Sequence, residues 1–303
     1  MSEKTKYIIA NFQKHLEEKN LRNLKIENWK NIFSKELSGL FTTRQYSINP
    51  NYLYRARPNL DCSGKPIIFF KNASDLWAPP RSKTKKQNRC NIKGQSLLYC
   101  STCPTTTIFE VKPASGTELT IIKYKTNSKI GYLAAVGVKE IMTIGADFYE
   151  IFNSHFDNSS EETRILDDIL SDVFKSKTQN TDLFPIYNLT NAITQIFLNN
   201  QKADSIPQSL KASKFVGLIY PSVETEVVLG ANIVMTPKNV KNKLIANVAF
   251  KYQIIKQYDE HFYEILLSHQ TKKIYPNGEL AWELKQDPKA EYITDLHSVN
   301  HIF

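Results

Sequence analysis

Arg89, Tyr99 and Glu110 follow one another at intervals of ten and eleven residues. Arginine is a rigid fork of donors that matches phosphate and carboxylate oxygens, whereas lysine is a solvated point charge. A carboxylate near such a fork in sequence suggests an anion site with an acid beside it. On spacing alone an ordinary ion pair is the other reading.

The distribution of charge invites the same reading. The chain has 303 residues and a net charge of +9. From Arg55 to Gln95 ten lysines and arginines face only Asp61 and Asp75, which is +8 of that total. Only seven arginines occur, and Arg55, Arg57, Arg81 and Arg89 fall in this one stretch. A solvated basic loop would account for the same residues.

Other chemistries are poorly served. Cys100 and Cys103 have half of a zinc-knuckle spacing, and Cys62 and Cys90 would have to complete it. Buried free thiols are the alternative, and no metal is expected. Ten glycines supply no G-x-G-x-x-G or Walker loop, and G-x-S-x-G is absent. Tyr52, Tyr54 and Trp77 near the basic stretch could stack on bases, or could be core. No run approaches the roughly 20 apolar residues of a membrane span. The first residues, Met-Ser-Glu-Lys-Thr-Lys, lack a signal-peptide core, so a cytoplasmic protein is expected.

The elements that must position these residues read as α+β. Helical periodicity appears over 4–18 and 28–40, the latter through Trp29, Ile32, Phe33, Leu37 and Leu40. Ser47 to Pro50 breaks it. Strand texture is expected at 51–57, 66–70, 96–101, 106–111, 118–124 and 132–138, with a long loop over 71–95. Tyr99 would then sit mid-strand and Glu110 near the end of the next, and a hairpin would bring them together. Ser159-Ser-Glu-Glu162 fits a capping box for a helix with an acidic solvent face, and 186–198 fits a second helix. Strands are expected at 215–221, 227–235, 244–254 and 262–268, then a Pro-Asn-Gly turn at 276–278 and a polar tail.

Tyr52-Leu-Tyr-Arg-Ala-Arg57, Asn88-Arg-Cys-Asn-Ile-Lys-Gly94, Leu98-Tyr99, Thr107-Ile-Phe-Glu110 and Gly217-Leu-Ile-Tyr-Pro-Ser222 together resemble the RES domain family over roughly residues 45–240. The resemblance implies an α+β fold with a mixed sheet related to ADP-ribosyltransferases, and an enzyme that cleaves the nicotinamide–ribose bond of NAD. It implies a catalytic domain, expected over 45–255 with a helical insertion at about 150–205; a helical extension over 1–44 and a C-terminal extension over 256–303 packed on the core lie outside the match. By motif, the site residues are Arg55, Arg89, Tyr99, Glu110 and Ser222, with Arg57 the runner-up for the first arginine. The family's Gly-Arg-Trp-Asn pattern is Asn88-Arg89-Cys90-Asn91 here.

Nicotinamide leaves NAD as a neutral molecule, so no second carboxylate is needed to protonate it. In this implied site Glu110 stabilises the ribosyl cation and orients water or inorganic phosphate. Arg55 and Arg89 clamp phosphate oxygens. Tyr99 stacks on nicotinamide or bonds a ribose hydroxyl, and Ser222 fixes the backbone beside the ribose. Many family members are the toxin of a bacterial toxin–antitoxin pair, so a helix-turn-helix antitoxin is an expected partner and nucleic acid an indirect one. Two alternatives stay open: an ADP-ribosyltransferase acting on a macromolecule, and a nucleic-acid-binding protein using residues 55–95.

Overall fold

A computed structural model describes residues 3–17, 24–35, 46–48, 50–61, 63–127, 129–176, 183–198, 215–222 and 230–294. The fold is α+β: helices pack on an eleven-stranded mixed sheet. Among the described residues no helix is long and apolar enough to cross a membrane.

The sheet has two wings. The first runs β1 (Tyr46–Ser47), β5 (Tyr132–Ala135), β6 (Phe215–Pro221), β7 (Ala231–Met235) and β3 (Leu98–Ser101). The second runs β2 (Tyr52–Pro58), β4 (Glu118–Thr126), β8 (Leu244–Asp259) and β9 (Phe262–Ile274). Both β10 (Leu280–Leu284) and β11 (Ala290–Thr294) pair with β9. Among the described residues only β5 and β6 pair in parallel. The wings meet where β2 pairs with β3 through a single register pair, Tyr54↔Ser101. By contrast, β2 pairs with β4 along its whole length, Tyr52↔Lys125 to Pro58↔Leu119.

Helices α1 (Glu3–Glu17) and α2 (Ile26–Lys35) bury Phe12, Trp29 and Phe33 in one aromatic cluster. That cluster joins the apolar faces of α6 (Glu161–Lys175) and α7 (Leu183–Leu198) against Phe215, Leu218 and Val234 of the first wing. Between the wings lies α3 (Pro104–Val111), which packs Ile108 and Phe109 against Tyr54, Leu119 and Ile121 of the second wing.

Several expectations are corrected. Residues 106–111 form helix, not strand. Extended Cys103 is the N-cap, Pro104 takes the first turn where its missing N–H costs nothing, and Lys112 at φ 49° ends the helix. Residues 66–70 form no strand: a lone bridge links Leu60 to Pro66, and Ile68 is 72% exposed. The cap of α6 is Ser160, whose hydroxyl accepts from Thr163 N, rather than Ser159. The first-wing strand ends at Ala135, and α4 (Val138–Ile141) follows. The expected polar tail contains β10 and β11, and β8 runs through residue 255. Leu37, Leu40 and residues 227–229 lie outside the described residues.

The acidic face of α6 also needs amending. Asp167 turns inward, its two oxygens accepting from Gly137 N at 2.8 Å and Val138 N at 2.7 Å. This carboxylate satisfies free amides at the start of α4 and ties α6 to the turn before it. Burial outweighs the two amides and pushes its carboxyl up to about 7.

Two measurements check this turn. Asp167 holds its proton more tightly folded than unfolded, so stability is fully present below the ordinary carboxylate range and falls as pH rises towards about 7. Urea unfolding of Asp167→Asn should lose that fall, at most about 1.4 kcal/mol per pH unit. A Cβ on Gly137, at φ 71°, would meet Ser171 Oγ at 2.7 Å and Pro221 Cδ at 2.8 Å, whereas at Gly64, φ 83°, it would meet nothing within 4 Å. Gly137→Ala should therefore cost about 1–3 kcal/mol more than Gly64→Ala in the same assay.

Candidate active site

A cleft of about 200 Å³ opens where the two wings part. Arg55 of β2, Tyr99 of β3, Thr107 and Glu110 of α3, Tyr220 of β6 and Asn232 of β7 line it. Residues of β2, β3, β6 and β7 thus converge on α3.

Glu110 is the centre of this arrangement. Its Oε1 accepts from Ser222 Oγ at 2.9 Å and from Asn232 Nδ2 at 2.5 Å. Both donors are buried, Ser222 to 1% and Asn232 to 6% exposure, while Glu110 itself is exposed. An acid in the last turn of a helix meets the negative end of the dipole. Two donors from the first wing offset that and fix the carboxylate at the mouth of the cleft.

Arg55 fills the gap left by the missing β2–β3 pairing. Its Nε donates to Leu76 O at 3.0 Å and its Nη1 to Tyr99 O at 3.0 Å. Among the described residues it forms no ion pair with a carboxylate. A half-buried guanidinium with no carboxylate partner among the described residues has donor capacity that an anionic group could use.

Tyr99 contributes its ring. Its hydroxyl is already engaged, donating to Asn91 Oδ1 at 2.8 Å and accepting from Cys90 N at 3.1 Å. Burial raises the Tyr99 and Tyr220 hydroxyls well above their ordinary range, so both stay protonated. The expected closeness of Tyr99 and Glu110 is present in the shared cleft, but α3 folding back on β2 produces it, not a hairpin.

Arg89 stands apart. Its guanidinium donates to Phe174 O and to Ser176 O at the end of α6 and lies 5.6 Å from the Tyr187 ring centroid. It is not among the cleft-lining residues. A cation there suits the negative end of α6. The loop around it is gripped from α7, where Thr190 Oγ1 donates to Arg89 O and Asn191 Nδ2 to Asn88 O. Arg57 donates to Asp75 O and sits 4.8 Å from the Phe70 ring centroid.

Burial pushes Cys90 up to about 11 and Cys100 up to about 12, so both are protonated. Among the described residues no three His, Cys, Asp or Glu side chains are placed to hold a metal, and Cys62 lies outside them. Sequence reasoning missed Asn232 and Tyr220. A signal for Asn232 existed: it is the one polar residue in the apolar run Ala231-Asn-Ile-Val-Met235.

Tyr99→Phe tests the link between the ring and the basic loop. It strips Asn91 Oδ1 and the Cys90 amide of a partner in a buried setting, which costs about 1–3 kcal/mol. Urea unfolding should show that loss, and hydrogen exchange should show faster exchange at the Cys90 amide. No protein-family model, no curated protein and no solved structure matches this chain.

Proposed function

We propose that this protein is an NAD-consuming enzyme that cleaves the nicotinamide–ribose bond. The observation that carries the reading is the Glu110 carboxylate, held by Ser222 and Asn232 in a cleft shared with Arg55 and the Tyr99 ring. The resemblance of the surrounding motifs to the RES family supports it. With that resemblance come an ADP-ribosyltransferase-like core, a role as a toxin that depletes cellular NAD, a helix-turn-helix antitoxin partner and a place in the cytoplasm.

The chemistry needs little from the protein. The bond from ribose C1 to the nicotinamide nitrogen breaks, and its electron pair leaves with the neutral ring. Ionised Glu110 faces the developing ribosyl cation, where an opposed fixed charge lowers the barrier. Water or inorganic phosphate then forms the new C1–O bond, and for water the released proton passes to solvent. The Tyr99 ring offers a face to nicotinamide. Arg55 takes a phosphate oxygen of the dinucleotide or of the attacking phosphate. Arg89, with its fork on α6, acts as a positioning residue through the Asn91–Tyr99 bond. At about 200 Å³ the cleft lies below the usual ligand-pocket range of about 300–1,000 Å³, so it holds the reacting end and leaves the adenosine outside.

The test is incubation of purified protein with NAD, with and without phosphate, and identification of products. Nicotinamide with ADP-ribose, or with its 1-phosphate, is expected. Glu110→Gln should lower the rate at least about 100-fold. Asn232→Leu should lower it less, because Ser222 still holds the carboxylate. Intact NAD, or an unchanged rate in Glu110→Gln, overturns the reading. Nicotinamide without either small product indicates transfer to a macromolecule.

A further inference from the structure

A second cavity, of about 270 Å³, lies beyond the Tyr54↔Ser101 pair. It is bounded by α5 (Ala146–Asp157), the start of β2 and Thr102. Its walls are Tyr52, Tyr54 and Phe148 with Ile48 and Ile151, and Asp147 is its one charged residue.

Three features give the cavity a chemical preference. The first is the set of aromatic walls. Tyr52 and Tyr54 already attract an ammonium, since Lys123 Nζ lies 4.1 Å from the Tyr52 centroid and 5.7 Å from that of Tyr54. Lys123 itself is not among the residues lining the cavity. The second is charge. Asp147 forms no ion pair among the described residues, in a chain whose net charge is +9. The third is protonation. Burial, with Cys103 and Tyr52 nearby, pushes the Tyr54 phenol up to about 12, so no second anion arises at neutral pH.

We propose that this cavity binds a small organic cation, an alkylated ammonium held against the rings of Tyr52, Tyr54 and Phe148 and facing the Asp147 carboxylate. Ring faces carry negative quadrupole charge and stabilise a weakly hydrated cation, and a carboxylate at the rim adds a direct attraction. An apolar molecule of the same shape gains the burial but neither electrostatic part. The site is separate from the Glu110 cleft, with which it shares no lining residue.

The experiment is calorimetric titration with choline and with its neutral isostere, 3,3-dimethylbutan-1-ol. Choline should bind in the range of about 1–10 mM, at least about fivefold tighter than the isostere. Asp147→Asn and Phe148→Leu should each weaken choline at least about threefold. Asp147 is exposed in the first turn of its helix, so circular dichroism of Asp147→Asn should match the parent. Glu110→Gln should leave choline binding unchanged. No binding of choline, equal affinity for the isostere, or unchanged affinity in Asp147→Asn overturns the proposal. Loss in Glu110→Gln with Asp147→Asn unaffected also overturns it and places the cation in the other cleft.

Discussion

The sheet is held together at its middle by one register pair, and the rest of the site depends on that constraint. After Tyr54↔Ser101, β2 follows β4 while β3 follows β7. Backbone groups along the divergence lose their strand partner and must be satisfied otherwise. Arg55 supplies part of the answer by donating to Tyr99 O and Leu76 O. A guanidinium therefore lies in the seam for reasons of backbone satisfaction, and the same placement makes it available to an anion.

The helix that fills the seam carries a second compromise. An acid near a helix C-terminus is disfavoured by the dipole, yet the last turn of α3 carries Glu110 to Ser222, just after β6, and to Asn232 of β7. Ser222 and Asn232 stabilise the acid there. The surrounding phenols and thiols are kept neutral by burial, which leaves Glu110 and Arg55 as the charged groups that line the cleft.

Much of the framework was legible in the sequence because its residues alternate or repeat at a fixed period. Phe215–Pro221 matches the expected strand, and of the periodic α6 face Leu166, Leu170, Val173 and Phe174 are buried while Ile165 and Ile169 are half-buried. The segment 106–111 misled because threonine and isoleucine favour strands, while the informative residue was Pro104 at a helix start. Residues 66–70 were misread because an apolar run looks buried whether or not a partner strand lies beside it. Leu280–Leu284 and Ala290–Thr294 are only five residues each, and pairing with the long β9 makes strands of them. In the site, Glu110 and Ser222 were named from the sequence motifs, but the bond between them and the second donor, Asn232, were not. Asn232 is joined to Glu110 across 122 residues, and the Arg89 fork is taken by carbonyls of a helix 85 residues away. Local pattern carries no record of such contacts.

The two donors that hold Glu110 lie 112 and 122 residues after it. During synthesis at about 5–20 residues per second, the acid therefore exists for on the order of 10 s before either donor has been made. Throughout that time α3 has no β6 or β7 to dock on, and neither Ser222 nor Asn232 exists to hold its carboxylate. The arrangement is a property of a chain extended at least to Asn232, and the order of translation keeps any earlier fragment from displaying it.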